Sequence, residues 1–197
     1  MATPRTLPVE MHTHAMDNLK YIRQTLERAG EFTAVPGKGG VLMGVAGLAA
    51  GCLSAVQHTL LGWLVVWMAA AVFALAAGIA AAALKSQRFH MPLLSGPGRK
   101  FAAGFAPALI AGAVLTAVFF RAGICGFLPG VWLLLYGAAV LAGGSASVRV
   151  VPVMGVCFMV IGTVALLLPA WSAVLLPAGF GGLHLIFGMV IWVKYGG

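Results

Sequence analysis

Residues 61–84 read LGWLVVWMAAAVFALAAGIAAAAL, an apolar stretch without a single charged side chain. A helix needs roughly 20 apolar residues to cross the hydrocarbon core of a bilayer, so this stretch predicts a transmembrane helix. Other stretches have a comparable length and composition, and the six predicted spans are 40–57, 61–84, 101–120, 126–144, 151–169 and 173–193. The sequence therefore predicts an all-α protein, a polytopic helical bundle over residues 37–197.

The overall composition is that of a membrane protein and not of a soluble domain. Hydrophobic residues make up 61% of the 197 residues and charged residues only 8%, whereas soluble domains carry about 25% charged residues. The net charge of +8 comes from basic side chains at the ends of apolar stretches. That placement is typical of topology signals and contacts with anionic lipids, since nucleic-acid binding needs a basic cluster. We therefore expect the bilayer, including its anionic lipids, as a partner and no nucleic acid.

The distribution of Lys and Arg predicts the orientation in the membrane. With the N-terminus inside, eleven of the twelve basic residues lie on the inner side, and Arg121 lies outside. By the positive-inside rule, this bias predicts an N-in/C-in protein with both termini cytoplasmic. The inner residues are Arg5, Lys20, Arg23, Arg28, Lys38, Lys85, Arg88, Arg99, Lys100, Arg149 and Lys194.

Residues 1–36 form a polar segment before the first span. Within it, residues 13–29 carry apolar side chains three or four positions apart, at Met16, Leu19, Ile22, Leu26 and Ala29. This spacing places them on one face of an amphipathic helix that is too polar to cross the membrane. We expect this cytoplasmic helix to lie at the membrane interface, with docking on a partner protein as the alternative.

Two stretches resemble a group of small bacterial membrane proteins of about this length that have no assigned activity. They are HAMDNLKYIRQTLERAG at 14–30, with FTAVPG at 32–37, and SVRVVPVMG at 147–155. The resemblance covers most of the chain and implies a bacterial inner (cytoplasmic) membrane, but it carries over no activity, cofactor or binding residue. It draws attention to a candidate partner-docking surface on the cytoplasmic side, formed by Tyr21, Arg23, Arg28 and Arg149.

The first span carries a glycine stripe, Gly40, Gly44, Gly47 and Gly51. Small residues let helix backbones approach closely, which is what holds helices together in lipid. We expect the stripe to pack within the bundle, with an oligomer interface as the alternative.

The sixth span is the least regular, and it contains the strongest ligand-binding candidates. Pro177 removes a backbone donor, Gly181 and Gly182 weaken the next turn, and His184 follows near mid-membrane. A histidine at that depth suggests a functional site by default. We expect Tyr136 and Trp132 of the fourth span to supply aromatic rings to such a site. The alternative is a kinked helix whose neutral imidazole bonds a carbonyl on the next helix.

The third and sixth spans share a local pattern, PALIAG at 107–112 and PAGFGG at 177–182. Because these spans run in opposite directions, the pattern raises the hypothesis that the 1–3 and 4–6 halves form an inverted repeat, as in many transporters. A chance match between apolar sequences is the alternative.

The residues typical of enzymes and pumps are missing from the spans. All four acidic residues, Glu10, Asp17, Glu27 and Glu31, precede the first span, and no catalytic or nucleotide-binding motif is present. His58 and His90 do not match His184 in depth, which argues against a six-coordinate haem. We expect no catalytic residue, metal or cofactor.

These patterns favour a non-catalytic integral membrane subunit or accessory protein of a larger bacterial assembly. Its expected partner is another membrane protein or a second copy of the chain. The alternatives are a small transporter or channel with a midplane site at the broken sixth helix, and a quinone- or haem-associated redox subunit.

Overall fold

The structure is a computed structural model, and it describes residues 16–22, 35–88 and 96–195. Six helical segments are long and apolar enough to cross a membrane, which confirms the predicted all-α, six-span class. The helices are α1 (Gly37–Ala55), α2 (Leu60–Arg88), α3 (Gly96–Ala122), α4 (Leu128–Gly144), α5 (Val150–Leu167), α6 (Ser172–Pro177) and α7 (His184–Tyr195). A π-helical segment, Ala178–Leu183, joins α6 to α7, and these three pieces follow a short 3₁₀ turn, Pro169–Trp171, in the sixth span.

The chain divides into two compact units, residues 1–30 and 31–197. In the first unit, residues 16–22 are helical, and they belong to the predicted amphipathic segment 13–29. The remainder of that segment lies outside the described residues.

The second and third spans extend towards each other beyond their predicted bounds. The predicted spans 61–84 and 101–120 leave residues 85–100 between them, but α2 continues to Arg88 and α3 begins at Gly96. Charged ends are compatible with a helix here because helical backbone groups are bonded internally and long basic side chains can reach polar partners outside the apolar core. Residues 89–95 lie outside the described part of the chain.

The spans differ in how closely they pack on one another. The most extensive contacts join α4 to α5 and α1 to the sixth span. By contrast, α2 packs mainly on α1, and α3 packs mainly on α4. Direct contact between α2 and α3 is slight, so these two peripheral helices stand apart at the side of the bundle.

Glycines permit the close approach of α1 to the sixth span and of α4 to α5. A Cβ built on Gly47 of α1 would lie 2.6 Å from the carbonyl carbon of Phe180 in the sixth span. In the α4–α5 pair, a Cβ on Gly137 would lie 2.7 Å from the carbonyl oxygen of Gly155. Neither position leaves room for a larger residue unless a backbone moves, so the bundle is built on backbone-to-backbone packing.

The stripe of α1 faces the sixth span along its length. A Cβ on Gly40 would lie 3.0 Å from the Cα of Gly188, and one on Gly44 would lie 2.8 Å from the amide nitrogen of Leu185. A Cβ on Gly51, nearer the end of α1, would lie 2.6 Å from the Cβ of Pro177. The order of these contacts shows that α1 and the sixth span are antiparallel.

Lys85 joins three parts of the chain at one end of the bundle. Its Nζ donates hydrogen bonds to the carbonyl oxygens of Val35, at 3.1 Å, and Tyr195, at 3.0 Å. The start of α1, the last turns of α2 and the end of α7 therefore meet at this end, which we call the terminal end. The opposite end carries the loop between α1 and α2 at 56–59, and we call it the hairpin end.

We expect Lys85→Met to destabilise the bundle by about 1–3 kcal/mol, because it leaves the carbonyls of Val35 and Tyr195 without this charged donor. The free energy of unfolding in a denaturing detergent measures the effect. Lys194→Met is the matched control, since Lys194 is exposed near the same end. Equal stability of the two variants would show that the Lys85 bonds contribute nothing.

Candidate functional site

A cavity of about 350 Å³ lies between α2 and α3 at the side of the bundle. The fourth and sixth spans form its floor, where Tyr136, Phe180 and His184 line it. Val72 and Leu75 line it on α2 and are 70% and 47% exposed. We call this cavity the α2–α3 cleft. Because exposed side chains within the spans line it, the cleft opens on the outer surface of the bundle.

His184 and Tyr136 form the polar centre of the floor. The Nδ1 of His184 lies 2.9 Å from the carbonyl oxygen of Phe180, and its Nε2 lies 2.7 Å from the hydroxyl of Tyr136. A carbonyl only accepts, so Nδ1 carries the proton in the neutral ring. Nε2 is then the acceptor, and Tyr136 donates to it. His184 is only 3% exposed, and both of its nitrogens are occupied.

Aromatic rings surround this pair. The Tyr136 ring meets Phe158 edge-on at 4.9 Å and Phe180 at 5.2 Å between centroids. Phe105 of α3 reaches the same ring at 5.8 Å, also edge-on. These are the distances and orientations that aromatic pairs prefer. The floor is therefore tightly packed, and it fixes the Tyr136 hydroxyl towards His184.

A second polar group lies nearer the hairpin end. Trp132 Nε1 donates to the Thr116 hydroxyl at 2.8 Å, and that hydroxyl donates to the carbonyl oxygen of Gly112 at 2.7 Å. Trp63 of α2 stacks on Trp132 with centroids 5.4 Å apart and planes 7° apart. This stack links α2 to the α3–α4 pair and closes the cleft towards the hairpin end.

The sixth span is irregular, as its sequence suggests, but it is not unwound. Its backbone is π-helical over Ala178–Leu183, directly after Pro177. Proline supplies no amide donor, and the glycines that follow tolerate the wider turn. Pro107 lies inside α3 and is followed by ordinary α-helix. The two copies of the Pro-Ala pattern therefore have different backbone geometries.

The structure brings three of the five ligand-binding candidates together. His184, Tyr136 and Trp132 all line the α2–α3 cleft. Gly181 packs instead on α1, where a Cβ would lie 3.0 Å from the amide nitrogen of Leu48, and a Cβ on Gly182 would meet no atom of the described chain within 4 Å. The carbonyl that His184 bonds belongs to its own span and not to the next helix.

The candidate docking residues are only partly described. Tyr21 lies in the helical segment 16–22, in the first unit of the chain. Arg149 is exposed and directly precedes α5. Arg23 and Arg28 lie outside the described residues, so the docking surface remains a prediction.

Sequence reasoning missed three residues of the site: Trp67, Phe105 and Thr116. Trp67 is only 5% exposed and packs on Phe180 with centroids 6.2 Å apart. The spacing of Trp63 and Trp67 places both rings on one face of α2, which was an available signal. Phe105 and Thr116 lie in an apolar helix whose sequence does not mark the inward face.

Metal ligands do not cluster in the described part of the chain. No group of three or more His, Cys, Asp or Glu side chains there could hold a metal ion. His58 lies at the hairpin end, in the loop between α1 and α2, whereas His90 lies outside the described residues.

We expect Tyr136→Phe to lower the free energy of unfolding by about 0.6–1.7 kcal/mol, the range measured for hydrogen bonds between membrane helices. The phenyl ring keeps the edge-on contacts, so the change reports the bond to His184. The variants His184→Phe and Tyr136→Phe/His184→Phe complete a double-mutant cycle. Additive effects of the two single changes would show that the side chains are not coupled.

Comparison with protein-family models, with curated proteins and with solved structures finds no match to this chain.

Proposed function

We propose that this chain is a non-catalytic membrane subunit or accessory protein that binds a lipid-soluble molecule in the α2–α3 cleft. The observation that carries the proposal is the cavity of about 350 Å³ between two helices that stand apart, with the hydrogen-bonded pair Tyr136 and His184 on its floor. Ligand pockets of about 300–1,000 Å³ with few polar groups and a mostly apolar lining are typical of small-molecule sites.

The cleft favours entry from the bilayer. Its rim is built by apolar side chains, including Met68, Val72, Leu75 and Ala113, which are exposed at span depth. A molecule already dissolved in lipid reaches such a rim without crossing water. An ion or a sugar would have to give up its hydration against an apolar wall, which is unfavourable.

Binding is better supported than catalysis by the chemistry of the floor. Tyr136 and His184 bond one another, and the remaining nitrogen of His184 is held by the Phe180 carbonyl. A general base needs a nitrogen free to meet its substrate. In this arrangement both nitrogens of His184 already form hydrogen bonds, so the pair is better suited to binding a ligand than to removing a proton from one.

The exposed faces of α2 and α3 support association with a further membrane protein or a second copy. Ile79 on α2 is 55% exposed and Ile110 on α3 is 64% exposed. We place the protein in a bacterial inner membrane with both termini cytoplasmic, in accord with the basic side chains at the terminal end. There Lys and Arg would contact anionic lipids. Tyr21 of the first unit and Arg149 of the second would each contact the partner.

A small transporter is the second candidate. It is favoured by the π-helical segment Ala178–Leu183, because such irregular turns are common at functional sites and this one adjoins the cleft at Phe180. Transport requires the cleft to open towards both sides of the membrane in turn. Accessibility of cysteines introduced along the cleft to a water-soluble thiol reagent would reveal such alternation.

Native mass spectrometry of the gently solubilised protein tests the binding proposal. We expect a neutral adduct of lipid-like mass that stays with the chain at activation energies that strip bulk lipid and detergent. A bare chain under every mild condition would contradict the proposal. The same spectra report association with a partner or a second copy.

A further inference from the structure

The indole N–H of Trp67 is buried beside the cleft without a hydrogen-bond acceptor. Two buried side-chain polar atoms lack a partner in the described chain, Trp67 Nε1 and Ser172 Oγ, and of these two residues only Trp67 lines the cleft. Buried indole N–H groups normally find an acceptor, so an exception calls for a physical reason. Because Trp67 lines the cleft, a ligand oxygen that reaches its indole N–H from there would supply that acceptor.

The other side-chain donors of the polar groups in the cleft are already used. Trp132 donates to Thr116, and Thr116 donates to the Gly112 carbonyl. His184 donates to the Phe180 carbonyl, and Tyr136 donates to His184. Trp67 is therefore the donor left for a ligand among the polar side chains that the structure places here.

Acceptors remain on the two hydroxyl groups. A hydroxyl oxygen has two lone pairs in addition to its proton. The Tyr136 hydroxyl donates its hydrogen bond to His184, and the Thr116 oxygen accepts one hydrogen bond from Trp132. Each keeps at least one lone pair. The cleft thus offers one donor and acceptors, with no Lys, Arg, Asp or Glu along its described lining.

Building on the proposed function, we propose that the ligand is an uncharged lipid with a hydroxyl head group, held by Trp67 and the cleft hydroxyls. The hydroxyl oxygen of the ligand accepts a hydrogen bond from Trp67 Nε1. The same hydroxyl group donates a hydrogen bond to the oxygen of Tyr136 or Thr116. The hydrocarbon part of the ligand lies along the apolar walls of α2 and α3. A carboxylate or phosphate head would find no cation, which makes its desolvation unfavourable.

A hydroxyl fits this inventory better than the carbonyl of an oxidised quinone. A carbonyl oxygen only accepts hydrogen bonds. It could accept one from Trp67, but it could not donate one to the hydroxyl oxygens of Tyr136 and Thr116. A hydroxyl both accepts and donates. Long-chain alcohols, diacylglycerols and prenols share this chemistry, as does the reduced quinol.

Three probes with the same chain length separate the contributions: 1-dodecanol, 2-dodecanone and dodecane. The protein in lipid nanodiscs is labelled with ¹⁵N at its five tryptophans, and Trp67→Phe assigns the Trp67 indole signal. We expect the alcohol to bind ~5-fold more tightly than the ketone, and the ketone ~5-fold more tightly than the alkane, as single net hydrogen bonds allow. The alcohol should shift the Trp67 indole proton to lower field.

Trp67→Phe should erase the ketone's advantage over the alkane and weaken the alcohol ~5-fold. The variant keeps an aromatic ring, although a smaller one, and it breaks no hydrogen bond of the described chain, so it should fold. Trp171→Phe is the matched control, because Trp171 is exposed and lies outside the cleft.

The outcomes separate this inference from the proposed function. Equal binding of all three probes would retain the lipid-facing site and overturn the head-group assignment. Equal binding of alcohol and ketone, or an unchanged preference in Trp67→Phe, would overturn it too. Failure of every probe to bind would overturn the proposed function itself. Displacement of 1-dodecanol by dioctanoylglycerol, farnesol or a short-chain quinol then identifies the source of the hydroxyl.

Discussion

Replacing Ala74 with phenylalanine is expected to weaken ligand binding in the α2–α3 cleft by ~5- to 150-fold, which corresponds to the 1–3 kcal/mol typical of steric overlap. Ala74 lies on α2 and lines the cleft. A phenyl ring at this position occupies space that the ligand needs. The bundle itself should tolerate the change, because the ring enters an existing cavity of about 350 Å³ and displaces no packed side chain.

The matched control is Ala76→Phe. Ala76 belongs to the same helix, but it is exposed and does not line the cleft. Affinity for 1-dodecanol, measured on both variants in nanodiscs, should fall in Ala74→Phe and stay at the wild-type value in Ala76→Phe. Equal affinities would mean that lipids bind elsewhere on the bundle.

Replacing Gly47 with alanine is expected to destabilise the bundle by about 1–3 kcal/mol, and leucine at this position should cost more. The new Cβ would lie 2.6 Å from the carbonyl carbon of Phe180, which is backbone and does not yield as a flexible side chain would. The sixth span must therefore move away from α1. Because Phe180 also lines the cleft, the movement should weaken ligand binding as well.

The matched control is Gly182→Ala, which also replaces a glycine of the sixth span. A Cβ there meets no atom of the described chain within 4 Å, so stability should be unchanged within about 0.5 kcal/mol. The free energy of unfolding in mixed detergent micelles measures both variants. Similar losses in the two would attribute the effect to glycine's backbone freedom and not to helix contact.

The number of spans was predictable because it depends on composition alone. A bilayer demands about 20 apolar residues for each helix, and the described part of the chain meets that demand six times. The ends of the helices were less predictable. Lys85 lies beyond residue 84, the predicted end of the second span, yet it belongs to α2, and its amine donates to two chain carbonyls.

The packing of the bundle was only partly readable from the sequence. The glycines of α1 recur at regular spacing, which marks them as a stripe. The glycines that bring α4 and α5 together, including Gly137 and Gly155, lie on different helices, and their meeting depends on which helices become neighbours. A pattern within one helix does not contain that information.

The site shows the same division between local and tertiary information. His184 and Tyr136 were recognisable as polar groups in apolar spans, and they bond one another. The spacing of Trp63 and Trp67 places both rings on one face of α2, but an indole in an apolar helix normally serves as packing and does not by itself mark a site. Its unpartnered N–H becomes visible only when the neighbouring helices are in place.

A density map of the protein in lipid nanodiscs is the decisive measurement for the α2–α3 cleft. We expect α2 and α3 to stand apart, with an elongated density between them that ends beside Trp67, Tyr136 and His184. Helices α2 and α3 packed side to side, with no density reaching the Tyr136–His184 pair, would contradict this expectation.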